Sequence, residues 1–305
     1  MAPDGLSVRL GSLELSSPLI AASGTVGSVW EWAEVADTRH FGAAVAKSVA
    51  PEPWEGRPPP RIAPTAVGML NGIGIQNPGI DTWSEEVGPK IRKIGTSVWG
   101  SAVARDTHGF ATVAKGLAAA GVAAIEVNLS CPNLEDGQMF SFDAARSAEV
   151  VSSVASAIGI PVGAKLSPNT PDIVEVAGAC HRAGADFVVL TNTVMGFGIS
   201  LESRRPLLSG GAGGYSGPGL KPISMRCVYD VYRAFPDLPI VGCGGVTTGA
   251  DVIEYMLAGA SAVEMGTILL AEPRAGARIM RELRRVAELE GIGSLQDVVG
   301  GLEIW

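Results

Sequence analysis

Residues 239–267 read PIVGCGGVTTGADVIEYMLAGASAVEMGT. An apolar run, 239–246, carries Gly244-Gly245 near its end. A segment with apolar residues three and four apart follows at 249–259 and stops on Gly259. A second apolar run, 262–269, contains Gly266-Thr267. Short runs that are apolar nearly throughout, rather than at alternate positions, predict strands buried on both faces. A helical segment between two of them predicts a parallel strand–helix–strand unit. The glycines after each strand leave backbone N–H groups uncovered, as a bound phosphate requires.

The same unit recurs outward from this stretch. Strands are predicted at 19–25, 43–48, 96–103, 123–131, 161–168, 187–193, 239–246 and 262–269. Helices are predicted at 107–121, 141–158, 171–184, 222–235, 249–259 and 273–290, several with Pro in the first turn or Gly at the end. Strand starts lie 23 to 27 residues apart in four of the seven intervals. Intervals of 53 and 52 residues mark long insertions after the second and sixth strands. Eight such units predict an α/β fold, a (β/α)8 or TIM barrel, as a single domain over residues 1–305. Ahead of them, 6–15 alternates around Gly11-Ser12 and predicts an N-terminal hairpin plugging the barrel bottom. The first insertion, 49–94, mixes Pro58-Pro59-Pro60 with an Asn- and Gly-rich run, 68–79, and reads as an ordered lining of a site. The second, 194–220, reads as a flexible glycine-rich loop followed by the fixed turn Ser216-Gly217-Pro218.

Composition narrows the function. Of 305 residues, 47% are hydrophobic and 18% charged, which excludes a disordered chain. A net charge of −8 argues against a general nucleic-acid binder, whose affinity rests on cations facing phosphate. No apolar stretch approaches the roughly 18 residues of a membrane span, and no secretory leader is visible, so a cytoplasmic protein with no membrane partner is expected. Cys131, Cys180, Cys227 and Cys243 form no CxxC pair, so no zinc or iron–sulfur site is expected.

In a barrel, functional side chains stand at the C-terminal ends of the strands. Those ends carry Ser23, Lys47, Ser48, Asn128, Cys131, Asn133, Lys165, Thr191, Asn192 and Thr193. Gly244 and Gly245 end the seventh strand, and Gly266 and Thr267 the eighth, the usual place for a phosphate in this fold. Lys165 interrupts an apolar strand, and lysine is seldom buried without a partner, so it reads as a cation for an anionic ligand or an electron-rich ring. Asn71, Asn128, Asn133 and Asn192 converge on one mouth and suit a planar molecule edged with carbonyls and N–H groups. His40, His108 and His181 all fall away from strand ends, which leaves Cys131 as the candidate base.

At these residues the chain resembles the dihydroorotate dehydrogenases of class 1. The resemblance is carried by Asn71-Gly72-Ile73-Gly74-Ile75-Gln76-Asn77-Pro78-Gly79, Asn128-Leu129-Ser130-Cys131-Pro132-Asn133, Lys47-Ser48, Thr191-Asn192-Thr193, Ser216-Gly217-Pro218 and the two glycine turns. It implies FMN as cofactor and oxidation of dihydroorotate to orotate in pyrimidine biosynthesis. It implies that Gly217, Gly244, Gly245, Gly266 and Thr267 hold the FMN phosphate. Ser23, Lys47, Ser48, Ser97, Asn128, Lys165 and Thr191 would flank the flavin, with Lys165 at its N1–C2 edge. Lys47, Asn71, Asn128, Asn133, Asn192, Thr193 and the run Gly72-Ile73-Gly74-Ile75 would hold the substrate, and Cys131 would take the C5 proton. The segments around Lys47 and 73–79 look most like class 1B. That implies a homodimer and a second subunit carrying FAD and a [2Fe–2S] cluster, since this chain has no ligand run for one. Class 1B relatives often carry Asn where Ser97 stands. Three other readings compete: a flavin barrel acting on a neutral dihydropyrimidine such as dihydrouracil, an aldolase using Lys165 as a Schiff base, and a non-catalytic binding barrel.

Overall fold

Eight parallel strands close into a barrel in the computed structural model, which describes residues 3–130 and 139–305. They are β1 (Leu19–Ala21), β2 (Ala43–Val45), β3 (Ser97–Ala102), β4 (Ile125–Asn128), β5 (Val162–Leu166), β6 (Phe187–Leu190), β7 (Ile240–Cys243) and β8 (Ala262–Met265). Each pairs with its neighbours in the chain, and β8 closes on β1 through Val263↔Leu19, Glu264↔Ile20 and Met265↔Ala21. All eight lie within the runs read from the sequence, but each stops short of its predicted C-terminal end. The clearest case is 262–269, where the strand ends at Met265 and Thr267–Ala271 is helical. Leu269 is as buried as the strand before it, so apolarity alone cannot mark the change.

The six expected helices are Thr107–Ala120, Ala144–Ala157, Ile173–Arg182, Lys221–Ala234, Gly249–Leu257 and Ala275–Leu289. Their ends follow local chemistry. Asp106 caps one through Gly109 N at 2.7 Å, and that helix stops on Gly121 at φ 99°. Thr248 and Asp251 form a reciprocal capping box on another. Trp30–Ala33, Ile80–Glu86 and Gly88–Ile91 were not foreseen, being too short to display a helical period.

The hairpin pairs Val8–Leu10 with Leu13–Leu15. Leu10 is buried, and a Cβ on Gly11 would lie 3.3 Å from the carbonyl of Asp186, just before β6. The hairpin therefore sits at the barrel bottom. The insertions depart from expectation. Ile62–Thr65 and Gly68–Asn71 pair with each other, and Gly68–Asn71 also pairs with Gly213–Ser216, which pairs with Val194–Gly196. The second insertion is thus half of a four-stranded antiparallel sheet, not a flexible loop. Its glycines serve close approach: a Cβ on Gly214 would overlap the Thr193 side chain, and one on Gly213 the Asn71 carbonyl.

Inside the barrel the lower layer is apolar. The Trp99 and Phe187 rings meet at 5.1 Å between centroids. Gly163 faces Phe187 across the β5–β6 pair, and a Cβ there would strike the Phe187 ring. Gly163→Ala should therefore overpack this layer and destabilise the protein by about 1–3 kcal/mol. A urea midpoint equal to that of the parent would show instead that Phe187 moves aside freely.

Candidate active site

A cavity of about 340 Å³ opens at the C-terminal ends of the strands, beneath the insertion sheet. Its walls have three parts. The first is a glycine-lined cleft formed by Gly217, Gly244, Gly245, Gly266 and Thr267. Gly217, Gly244 and Gly245 have φ of 105°, 143° and 68°, conformations that side-chain-bearing residues rarely adopt. A Cβ on Gly217 would lie 2.6 Å from the Gly68 Cα, and one on Gly245 would lie 2.9 Å from the Gly217 carbonyl oxygen. The Tyr255 hydroxyl donates to the Gly244 carbonyl at 2.7 Å, and Thr267 Oγ1 donates to Ser216 Oγ at 2.7 Å. These bonds hold a side-chain-poor cleft suited to an anion bound by backbone N–H groups.

The second part is a chain of amides and hydroxyls across four strand ends. Asn192 Nδ2 donates to Ser130 Oγ at 2.6 Å, and Ser130 Oγ donates to Asn128 Oδ1 at 3.0 Å. Asn128 Nδ2 donates to Ser48 Oγ at 3.2 Å, and Ser48 Oγ lies 2.9 Å from Ser101 Oγ. The Thr193 amide donates to Asn192 Oδ1, and Asn71 Nδ2 donates to the Gly214 carbonyl at 3.2 Å. Asn71, Asn128 and Asn192 are thus oriented by protein partners, which lowers the cost of fixing them on a ligand.

The third part is the floor. Lys165 Nζ donates to Glu264 Oε2 at 2.6 Å and lies 3.4 Å from Glu126 Oε1. Lys165 is 5% exposed and both glutamates are fully buried. Burial by itself would lower the Lys165 pKa, but Glu126 and Glu264 outweigh it and hold the ammonium charged. Burial first, then the nearby Glu264, pushes the Glu126 carboxyl well above the usual carboxylate range, with Lys165 opposing. Burial also pushes up the neighbouring Cys243 thiol, and raises Cys180 to about 12 and Cys227 to about 11. All three are held as thiols.

Of the residues singled out from the sequence, Ser23, Lys47, Ser48, Asn71, Gly72, Ile73, Gly74, Ile75, Asn128, Lys165, Thr191, Asn192, Thr193 and the five residues of the cleft line this one cavity. Ser97 does not. It opens β3, opposite Ala43 at the start of β2, about 13 Å of strand below the mouth. The serine that reaches the network is Ser101, four residues on. Trp99, two residues on from Ser97, is buried in the apolar layer. Cys131 and Asn133 lie outside the described residues. Sequence reasoning missed Glu126, Glu264, Ser101 and the role of Ser130. Among the described residues, no three His, Cys, Asp or Glu side chains are grouped to hold a metal. No helix among them is long and apolar enough to cross a membrane.

A parallel barrel with its one-sided mouth of fixed amides, glycine turns and a buried cation defines a (β/α)8-barrel enzyme. Residues 5–287 match the family model described as "Dihydroorotate dehydrogenase". The chain belongs to the dihydroorotate dehydrogenase family. It is 40% identical over 303 residues to "Dihydroorotate dehydrogenase B (NAD(+)), catalytic subunit" of Alkaliphilus metalliredigens, covering 99% of this chain and 100% of the relative. It is 42% identical to the protein of the same description from Geobacter sulfurreducens, covering 99% of each chain. In fold it is similar to the crystal structure of an Eimeria tenella DHODH in complex with ferulenol. There the TM-score is 0.81 at 23% identity, over 98% of this chain and 88% of that one.

Removing the cation should expose the charge imbalance. Lys165→Met leaves two buried acids with no partner and should cost about 3–5 kcal/mol near neutral pH. A carboxyl whose folded pKa is raised contributes stability that is present below its unfolded pKa and lost as pH rises through the folded one. The deficit of Lys165→Met relative to the parent should therefore shrink as pH falls toward about 4.5. A deficit independent of pH in thermal melts would mean that the acids do not face Lys165.

Proposed function

We propose that this chain oxidises (S)-dihydroorotate to orotate, a step of pyrimidine biosynthesis, in the cavity described above and with FMN as its cofactor. Dihydroorotate oxidation is the reaction of the family to which the chain belongs. The observation that carries the FMN assignment is the continuity of one cavity from a side-chain-free anion cleft, over a buried ammonium, to a wall of oriented asparagines. A molecule with a phosphate at one end and a planar ring edged with carbonyls at the other fits that sequence of surfaces. Gly217, Gly244, Gly245, Gly266 and Thr267 would hold the phosphate. Ser23, Lys47, Ser48, Asn128, Lys165 and Thr191 would line the ring.

Bound there, FMN would supply the hydride acceptor that this oxidation requires. The chain supplies the rest. Asn71, Asn128, Asn133, Asn192 and Thr193 hold the dihydropyrimidine ring in register. Lys47 offers a cation to the substrate carboxylate, the charge that distinguishes dihydroorotate from neutral dihydropyrimidines. The backbone of 72–75, under the insertion sheet, closes one side and limits water. The Cys131 thiolate takes the C5 proton onto its Sγ. Lys165 places a fixed positive charge where negative charge develops, an interaction strengthened by the dry floor around it.

The relatives above are named as catalytic subunits of an NAD(+) enzyme. We place this chain in the same kind of assembly: a homodimer whose electrons leave through a partner subunit carrying FAD and a [2Fe–2S] cluster. An exposed apolar stripe on the second insertion, Met195, Phe197, Ile199 and Leu201, supports a protein-covered face near the mouth.

The purified protein should be yellow, and dihydroorotate added without oxygen should bleach it. Cys131→Ser should keep the colour but be bleached about 100-fold or more slowly. A colourless protein that FMN cannot reconstitute would remove the flavin assignment. A yellow protein bleached by dihydrouracil and not by dihydroorotate would remove the substrate.

A further inference from the structure

The floor of the cavity holds two acids against one base. Glu264 on β8 is 2.6 Å from Lys165 Nζ, and the nearest oxygen of Glu126 on β4 is 3.4 Å away. All three side chains are at least nine-tenths buried. One oxygen of each glutamate, Oε1, has no hydrogen-bond partner. Glu126 lines the cavity, whereas Glu264 stands behind Lys165 and does not. Among the described residues, the other titratable groups near this point are Cys243 on β7, held as a thiol, and Lys47 beyond β2, which lines the same cavity. Beneath lies the apolar Trp99–Phe187 layer.

With both acids ionised, this floor would carry one uncompensated negative charge in a dry interior. A buried charge without a partner is strongly unfavourable, and the system relieves it by retaining a proton. The distances say where. The short bond to Glu264 is that of an ammonium to a carboxylate. Both oxygens of Glu126 lie farther off, Oε1 at 3.4 Å and Oε2 at 3.5 Å, too long for a charge-assisted bond, so Glu126 is the acid not needed for the ion pair.

We propose that Glu126 and Glu264 hold a single proton between them, carried by Glu126, so that Glu264 anchors the Lys165 ammonium and Glu126 presents a neutral carboxyl O–H to the cavity. Glu264 is then a positioning residue that acts through Lys165. The floor is electrically neutral overall, yet offers two donors side by side, an ammonium and a carboxyl. Such a pair suits the acceptor edge of a planar ring. The identity of that ring rests on the FMN reading above; the retained proton is a property of the chain alone.

The proton can be read directly by infrared spectroscopy. At neutral pH the protein should show the carbonyl stretch of a protonated carboxylic acid, with and without FMN, and the band should move when glutamate is labelled with 13C. Glu126→Gln removes the proton carrier but keeps an N–H donor. It should abolish the band and change the FMN dissociation constant by no more than about threefold. Glu264→Gln leaves Glu126 as the only anion for Lys165. Glu126 should then ionise, so that the band disappears and FMN binds about tenfold more weakly. Absence of a glutamate-dependent band from the parent protein, or its survival in Glu126→Gln, would overturn the proposal. The labelled parent protein decides the matter even if neither variant folds. A glutamate band in a protein that cannot take up FMN would uphold the shared proton and overturn the flavin reading.

Discussion

The ammonium of Lys165 on β5 reaches across the barrel interior to Glu264 on β8, with Glu126 on β4 beside it. That contact fixes how the rest of the interior is layered. A barrel is normally filled by apolar side chains throughout. Here the apolar filling ends at the Trp99–Phe187 layer, and ionised and polar groups take over above it. The ion pair is favourable only because it is short and hydrogen-bonded, and only because the strands that carry it are held in register by the closed sheet. The barrel and its polar floor therefore depend on each other.

Above the floor, the same logic of pre-arranged partners continues. The amide–hydroxyl chain from Ser101 through Ser48, Asn128 and Ser130 to Asn192 spans β2, β3, β4 and β6. Apart from Ser130–Asn128, the links join residues 53 to 80 apart in the chain, so a change at one strand end reorients amides at another. The insertion sheet adds a second constraint. Asn71 is tied to the Gly214 carbonyl, which joins the first insertion to the second over the mouth. Arg57 reinforces the junction by donating to the Ala212 carbonyl at 3.1 Å. The cavity is thus bounded below by an ion pair and above by a sheet, with glycine turns opening one side to an anion.

The eight strands were legible because each is buried on both faces and so is apolar from end to end. The glycine cleft was legible because positive φ and close backbone contact leave glycine few substitutes. The four-stranded insertion sheet was not. Its strands are three or four residues long and three of the four contain glycine, so they carry no clear alternation, and only pairing between segments some 140 residues apart reveals them. Ser97 and Ser101 show the limit within a strand. Both lie on β3, the sequence reading chose Ser97, and which one reaches the mouth depends on where the strand begins against its neighbours.

By itself the sequence determined the fold class, the number of units, the end of the barrel that bears the chemistry and most of the side chains gathered there. These follow from short-range patterns: continuous apolarity, glycine turns and polar residues at strand ends. Only the tertiary structure decided what those groups do to one another. Glu126 and Glu264 are single acids within apolar runs, 39 and 99 residues from Lys165, and nothing local marks them as its partners. They meet because barrel closure brings β4, β5 and β8 around one axis, and the low-polarity interior created by that closure is what makes their charges matter.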